Sequence, residues 1–184
     1  MPVKTPICDF GQKALPFELK STENKIISLD DIKGENGTLI MFICNHCPYV
    51  KVATREILED CNELKKIGIN SVAICSNDFV NYPEDSFDNM IKFSNVNQFS
   101  FPYLHDESQK VAKSYDAVCT PDFFGYNKNL ELQYRGRLRE LKNFIPVKDG
   151  ESDLLKAMKQ IVETDNGPQD QIPSAGCGIK WKYD

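Results

Sequence analysis

The sequence predicts an α/β fold in which a mixed central β-sheet is flanked by helices. Three observations carry that expectation. "TLIMFI" (38–43) is a continuous apolar run, the pattern of a strand buried on both faces. From Pro48 to Ile67 the period changes, with Val50, Ala53, Ile57, Cys61 and Leu64 recurring every three or four residues and Gly68 placed to end a helix. "INSVAIC" (69–75) is a second apolar run, so residues 38–75 form a βαβ unit with parallel strands and a right-handed crossover.

The flanking segments follow the same logic. Phe17 and Leu19, then Ile26 and Ile27, surround the polar "STENK" and predict an amino-terminal hairpin, while "LDDIKGENG" predicts a helical turn and loop. "FDNMIKF" predicts a short helix, "FSFPYLHD" a short strand, and Val111, Ala112 and Tyr115 another helix. Phe123 and Phe124, the turn "YNKN", and the alternating Leu130, Leu132 and Tyr134 predict a hairpin. Ser152 can cap a last helix with Leu154, Leu155, Met158, Ile161 and Val162 on its apolar face. We expect a single domain over 1–184: a hairpin extension (1–37), a core (38–164) and a tail (165–184).

Composition narrows the function. The chain has 184 residues, of which 41% are hydrophobic and 27% charged, enough for one substantial core. A net charge of −5, with basic residues scattered among acidic ones, argues against nucleic acid or an anionic membrane as partner. "MPVKTPICDFGQKALPFELK" has no apolar leader core, and no stretch approaches the roughly 18 apolar residues of a membrane span, so a cytoplasmic location is expected. Seven cysteines without regular spacing read as mostly reduced thiols.

One pair stands apart. In "FICNHCPYV" (42–50), Cys44 and Cys47 lie where a buried strand gives way to a helix. Free backbone N–H groups and the helix dipole stabilise a thiolate there. His46 between the two sulfurs adds stabilisation when protonated, and Pro48 suits the first helical turn. Cys44 is therefore expected as an exposed nucleophile with a pKa below the ordinary value of about 8.5.

With "CNHCP", "CTPDFFGYNKN" and "PSAGCGIKW" in place, residues 38–135 resemble the thioredoxin fold, and nearly the whole chain is similar to its peroxiredoxin-related branch, the alkyl hydroperoxide reductase and thiol-specific antioxidant group. The resemblance implies that Cys44 is the nucleophile and Cys47 the resolving thiol. It also implies that Pro121 follows a cis peptide beside them and that Thr120 offers its backbone to substrate. "NDFVNYPEDSFDNMIKFSNVNQ" (77–98) corresponds to a peroxiredoxin-like insertion. Two departures matter. Ile43 stands where thioredoxins have Trp, and "TLIMFI" lacks their buried carboxylate; Cys44 stands at the threonine of the peroxiredoxin Pro-x-x-x-Thr-x-x-Cys pattern, with Cys47 on the peroxidatic position.

The expected activity is thiol–disulfide exchange through a redox-active Cys44–Cys47 disulfide, with protein or small-molecule disulfides as substrates and electrons from a donor such as a thioredoxin or glutathione system. No organic cofactor and no metal is implied. The alternatives are an antioxidant thiol peroxidase with Cys47 peroxidatic, or copper or zinc binding through the cysteine pair, although no second CxxC completes a four-ligand set and nothing directs His105 toward the pair. Cys119, two residues before Pro121, and Cys177, between glycines, are possible auxiliary thiols. Cys61 and Cys75 are expected in the core, His105 at the surface, and Arg135 and Arg137 as strand-end cations.

Overall fold

A computed structural model describes residues 1–183. In chain order the strands are β1 (Val3–Lys4), β2 (Glu18–Ser21), β3 (Ile26–Ser28), β4 (Gly37–Phe42), β5 (Ile69–Cys75), β6 (Tyr103–His105), β7 (Cys119–Thr120), β8 (Asp122–Asn127), β9 (Leu132–Tyr134), β10 (Leu141–Lys142), β11 (Ile145–Pro146) and β12 (Ala175–Gly178). The helices are α1 (Leu29–Ile32), α2 (Pro48–Lys66), α3 (Phe87–Val96), α4 (Lys110–Ser114) and α5 (Asp153–Thr164), with a single 3₁₀ turn over Pro83–Asp85.

Seven strands form the central sheet in the order β3-β2-β6-β5-β4-β8-β9. Its middle is parallel, β4 on β5 and β5 on β6, and antiparallel strands complete both sides. This is the mixed α/β sheet that the alternating periods predict. Every residue of β4 is buried, because helices cover both faces. Leu39, Met41 and Ile43 pack with Ala53, Ile57 and Leu64 of α2 and with Leu154, Met158 and Ile161 of α5. Ile40 and Phe42 point the other way, toward Leu29, Ala112 and Tyr115. Burying each such side chain stabilises the fold by about 1.5–3 kcal/mol.

Local chemistry sets the ends of α2, the helix that carries the cysteine pair. Cys47 is its N-cap and Pro48 its first residue, where the missing N–H costs nothing. At the other end Lys65 and Lys66 face the negative end of the dipole, and Gly68 takes φ +83°, the left-handed conformation that stops the helix. α5 starts at Ser152, whose Oγ accepts from Leu155 N at 2.9 Å and donates to Asp60 of α2 at 2.5 Å, tying the two helices together. Among the described residues no helix is long and apolar enough to cross a membrane.

Three placements differ from the sequence reading. The tail is not featureless: β12 inserts between β1 and β7 as the middle of a second, three-stranded sheet. "AGCG" carries no β-branched or aromatic residue, so its extended form comes from pairing on both edges rather than from propensity. His105 is half-buried, its ring packed between Phe79 and Phe87 and its Nε2 enclosed. Arg135 is not a surface cation either. Its guanidinium grips the buried Asp122 at 3.0 and 3.3 Å and, nearer the surface, the Asp116 carbonyl at 2.7 Å. Burial pushes the Asp122 carboxyl up and the Arg135 fork pulls it back. Arg137 pairs with Asp153 at 2.6 Å.

The Asp122–Arg135 pair yields a stability test. Asp122→Ala leaves a cation buried without its partner, which is expected to cost about 3–5 kcal/mol. The expected readout is a lower urea midpoint at unchanged slope. A loss under about 1 kcal/mol, the scale of an exposed pair, would show that the pair has no structural weight.

Candidate active site

β4 delivers the chain to Ile43, whose N–H still bonds Ile74 O at 3.0 Å, and the next four residues turn into α2. That turn brings Cys44 and Cys47 against the β7–β8 loop, where the Thr120–Pro121 peptide is cis. Cys44 Sγ lies 3.4 Å from Thr120 Oγ1, and Cys47 Sγ lies 3.2 Å from Thr120 O. Thr120 thus touches both sulfurs, one through its hydroxyl and one through its carbonyl.

The 77–98 segment closes the other side. Asp85, from the 3₁₀ turn, is fully buried; it accepts from Asn45 N at 2.8 Å through Oδ1 and from Asn77 Nδ2 at 2.8 Å through Oδ2. Asn45 is fixed further by donating to Glu84 O at 3.0 Å and accepting from Tyr103 OH at 2.8 Å. His46 stacks on Tyr82, with ring centroids 6.0 Å apart, and its Nδ1 lies 2.6 Å from Asp85 Oδ2 but out of line for a straight N–H···O bond. β4 lacks the buried carboxylate of the thioredoxin pattern, and Asp85 brings one beside Cys44 from the 77–98 segment. Sequence reasoning missed this residue, because an Asp in "NYPEDS" reads as part of a solvated turn.

Both sulfurs are shielded: Cys44 is 1% exposed and Cys47 0%. This corrects the expectation of an exposed Cys44. The two thiols also differ in their surroundings. The hydrogen bond with Cys47, burial and the Asp85 carboxylate push the Cys44 thiol up. The Cys47 thiol is held down at about 4, first by the hydrogen bond from Cys44 and then by those from Cys177, Thr120 and the Val50 amide. At a helix N-cap, that amide is one of the unpaired N–H groups available to an anion.

The remaining sequence candidates fall in different places. Cys119 is fully buried, its Sγ 3.7 Å from Pro121 O, and burial pushes its thiol up. Cys177, on β12, is partly exposed and stands opposite Thr120. A cavity of about 400 Å³ opens beside Pro121, with Tyr49, Phe123, Leu138 and Ile172 among its apolar walls and Arg137 and Arg139 at its edge. One sulfur–nitrogen–oxygen cluster could hold a metal: Cys44 Sγ, a His46 ring nitrogen and an Asp85 oxygen lie within 4.8 Å of one another, a donor set compatible with zinc. Among the described residues His105 joins no such cluster.

The AhpC/TSA family matches residues 10–141. The chain belongs to that family. Among solved structures it is 39% identical to an uncharacterized conserved protein from Geobacillus kaustophilus, covering 100% of this chain and 98% of that one at a TM-score of 0.95. It is 30% identical to a hypothetical protein from Sinorhizobium meliloti 1021, covering 100% of both chains at a TM-score of 0.90. The thioredoxin domain of a thiol-disulfide oxidoreductase from Bacteroides vulgatus shares the fold at 15% identity and a TM-score of 0.63, over 83% of this chain and 97% of that one. No curated protein matches the sequence. Family and fold together make this a thioredoxin-like, peroxiredoxin-related protein with a thiol redox function.

The charge preference has a direct test in the reduced AhpC/TSA-family chain. Cys47 is expected to alkylate with iodoacetamide at a rate that stays nearly flat from neutral pH down toward its midpoint of about 4, whereas Cys44 stays slow. Peptide mapping of the labelled protein reads both sites. A Cys47 rate that falls tenfold per pH unit below neutrality would show that its thiolate is not stabilised, since each unit below the pKa removes about nine-tenths of the anion.

Proposed function

We propose that this protein is a thiol–disulfide oxidoreductase that cycles Cys44 and Cys47 between dithiol and disulfide. The reading rests on one observation: both sulfurs meet at Thr120, beside the cis peptide, at the start of a helix. In the forward half-reaction the Cys47 thiolate attacks a substrate disulfide R–S–S–R′. The S–S bond breaks, Cys47–S–S–R forms, and R′S⁻ leaves and takes a proton from the Cys44 thiol. The resulting Cys44 thiolate attacks Cys47 Sγ, forming the Cys44–Cys47 disulfide and releasing RS⁻. The substrate is reduced by two electrons and the protein oxidised by two. A dithiol or glutathione donor returns them. Seven free thiols suit a reducing compartment, so the cytoplasm is the proposed location.

A second reading, peroxide reduction, is favoured by the lowered Cys47 pKa and by shielding that admits small oxidants more readily than large ones. There the Cys47 thiolate attacks the O–O bond and becomes a sulfenic acid as water or an alcohol leaves. Cys44 condenses with it, expelling water and forming the same disulfide.

Serine variants examined by mass spectrometry test both readings. Cys44→Ser is expected to accumulate a mixed disulfide on Cys47 when given a small aliphatic disulfide, and Cys47→Ser to accumulate none. Trapping only on Cys44 would overturn the assignment of Cys47 as attacker. If Cys44→Ser forms a Cys47 sulfenic acid rapidly with hydrogen peroxide and stays inert to disulfides, the peroxidase reading replaces the first.

A further inference from the structure

The backbone edge of Thr120, which the resemblance assigns to substrate, is already occupied. β12 runs antiparallel along β7, with Cys177 opposite Thr120 and Gly178 opposite Cys119. Its other edge pairs with β1, Val3 against Gly176 and Lys4 against Ala175. The strand is held firmly on both sides of this register. Ser174 Oγ donates to Pro121 O at 2.8 Å, Thr5 N donates to Ser174 O at 2.9 Å, and Ile179 N donates to Val118 O at 3.1 Å. Beyond it, Lys180 O accepts from Asp78 N at 2.7 Å and from Gln109 Nε2 at 2.9 Å. Gly176 permits the approach, since a Cβ there would fall 2.0 Å from Thr120 O.

An added strand on a sheet edge is a general way to present a peptide side chain to a site. Here the added strand belongs to the chain itself, and the side chain it presents is a thiol. Cys177 packs against the cluster that contains Cys44 and Cys47, and the β12–β7 register sets it opposite Thr120, whose hydroxyl and carbonyl touch the two sulfurs. Thr120 therefore stands beside three thiols, Cys44, Cys47 and Cys177. Of the three, Cys177 alone has an exposed surface.

We propose that Cys177 is a third redox thiol, through which the shielded Cys44–Cys47 disulfide is passed to the surface and reduced. The proposal rests on the oxidoreductase reading above and names the route by which electrons enter. In the internal step the Cys177 thiolate attacks Cys47 Sγ. The Cys47–Cys177 bond forms, the Cys44–Cys47 bond breaks, and the electron pair leaves on Cys44, which takes up the proton Cys177 gave away; no net oxidation occurs. A dithiol reductant then attacks Cys177 Sγ and expels Cys47 as a thiolate. Its second thiol attacks the mixed disulfide, so the reductant leaves as a disulfide and Cys177 as a thiol.

The experiment uses the full chain, oxidised with a small aliphatic disulfide and mapped under non-reducing conditions, with dithiothreitol as the reductant probe. Cys44→Ser is expected to form an intramolecular Cys47–Cys177 disulfide, with Cys119 left alkylatable. Cys177→Ser, and Cys177→Ala as a second variant, are expected to keep forming the Cys44–Cys47 disulfide while its reduction slows by about tenfold or more. A free Cys177 in oxidised Cys44→Ser, with unchanged reduction rates in both Cys177 variants, would overturn the role of Cys177 and leave the oxidoreductase reading intact. A wild-type chain that forms no disulfide at all would overturn that reading, and this proposal with it.

Discussion

A central strand buried on both faces constrains everything around the site. β4 has no solvent edge or face, so its sequence is apolar from Leu39 to Phe42, the buried Thr38 hydroxyl is satisfied by the Gly34 N–H, and its direction is fixed by β5 on one side and β8 on the other. The chain leaving its end must turn at once into α2, and the turn falls at Cys44–Cys47. Because β8 pairs with β4 over six residues, the loop that precedes it is set at the same end of the sheet. The cysteine pair and the Thr120–Pro121 loop are thus brought together by sheet register before any side-chain contact between them is counted. The buried Asp122–Arg135 fork then anchors the first residue of β8 from the far side.

Much of this framework is legible in the sequence because it depends on periodicity. The runs 38–43 and 69–75 and the stripe Val50, Ala53, Ile57, Cys61, Leu64 announce β4, β5 and α2 directly, and Ser152 announces the start of α5. The parts that escape are those for which local composition and tertiary role disagree. "AGCG" has no strand propensity and becomes β12 through its two partners. Asp85 is an acidic residue in a turn, yet three polar contacts allow it to sit fully buried. Arg135 ends an alternating strand, the usual place for a solvated cation, and is instead drawn inside by Asp122.

The distribution of charge between the two sulfurs is illegible for a different reason. Both cysteines lie near a helix start, and the dipole favours an anion at either one. What decides between them is a set of contacts a few ångströms long. Cys47 faces two thiols and the Val50 amide, while Cys44 faces the Asp85 carboxylate. Cys44 and Val50 each lie three residues from Cys47 and are visible in the sequence; Asp85 and Cys177 arrive from the 77–98 segment and the tail.

Asp85 separates tuning from framework. In a fold whose site carboxylate rises from the central strand, any change to that group disturbs the core that positions the cysteines. Here the carboxylate is carried by a turn whose contacts are Asn45, Asn77 and His46, while β4 carries no charged side chain. The electrostatic field at Cys44 is therefore adjustable from a peripheral module. A substitution at Asp85 changes the charge beside Cys44 while every side chain of β4 stays as it is.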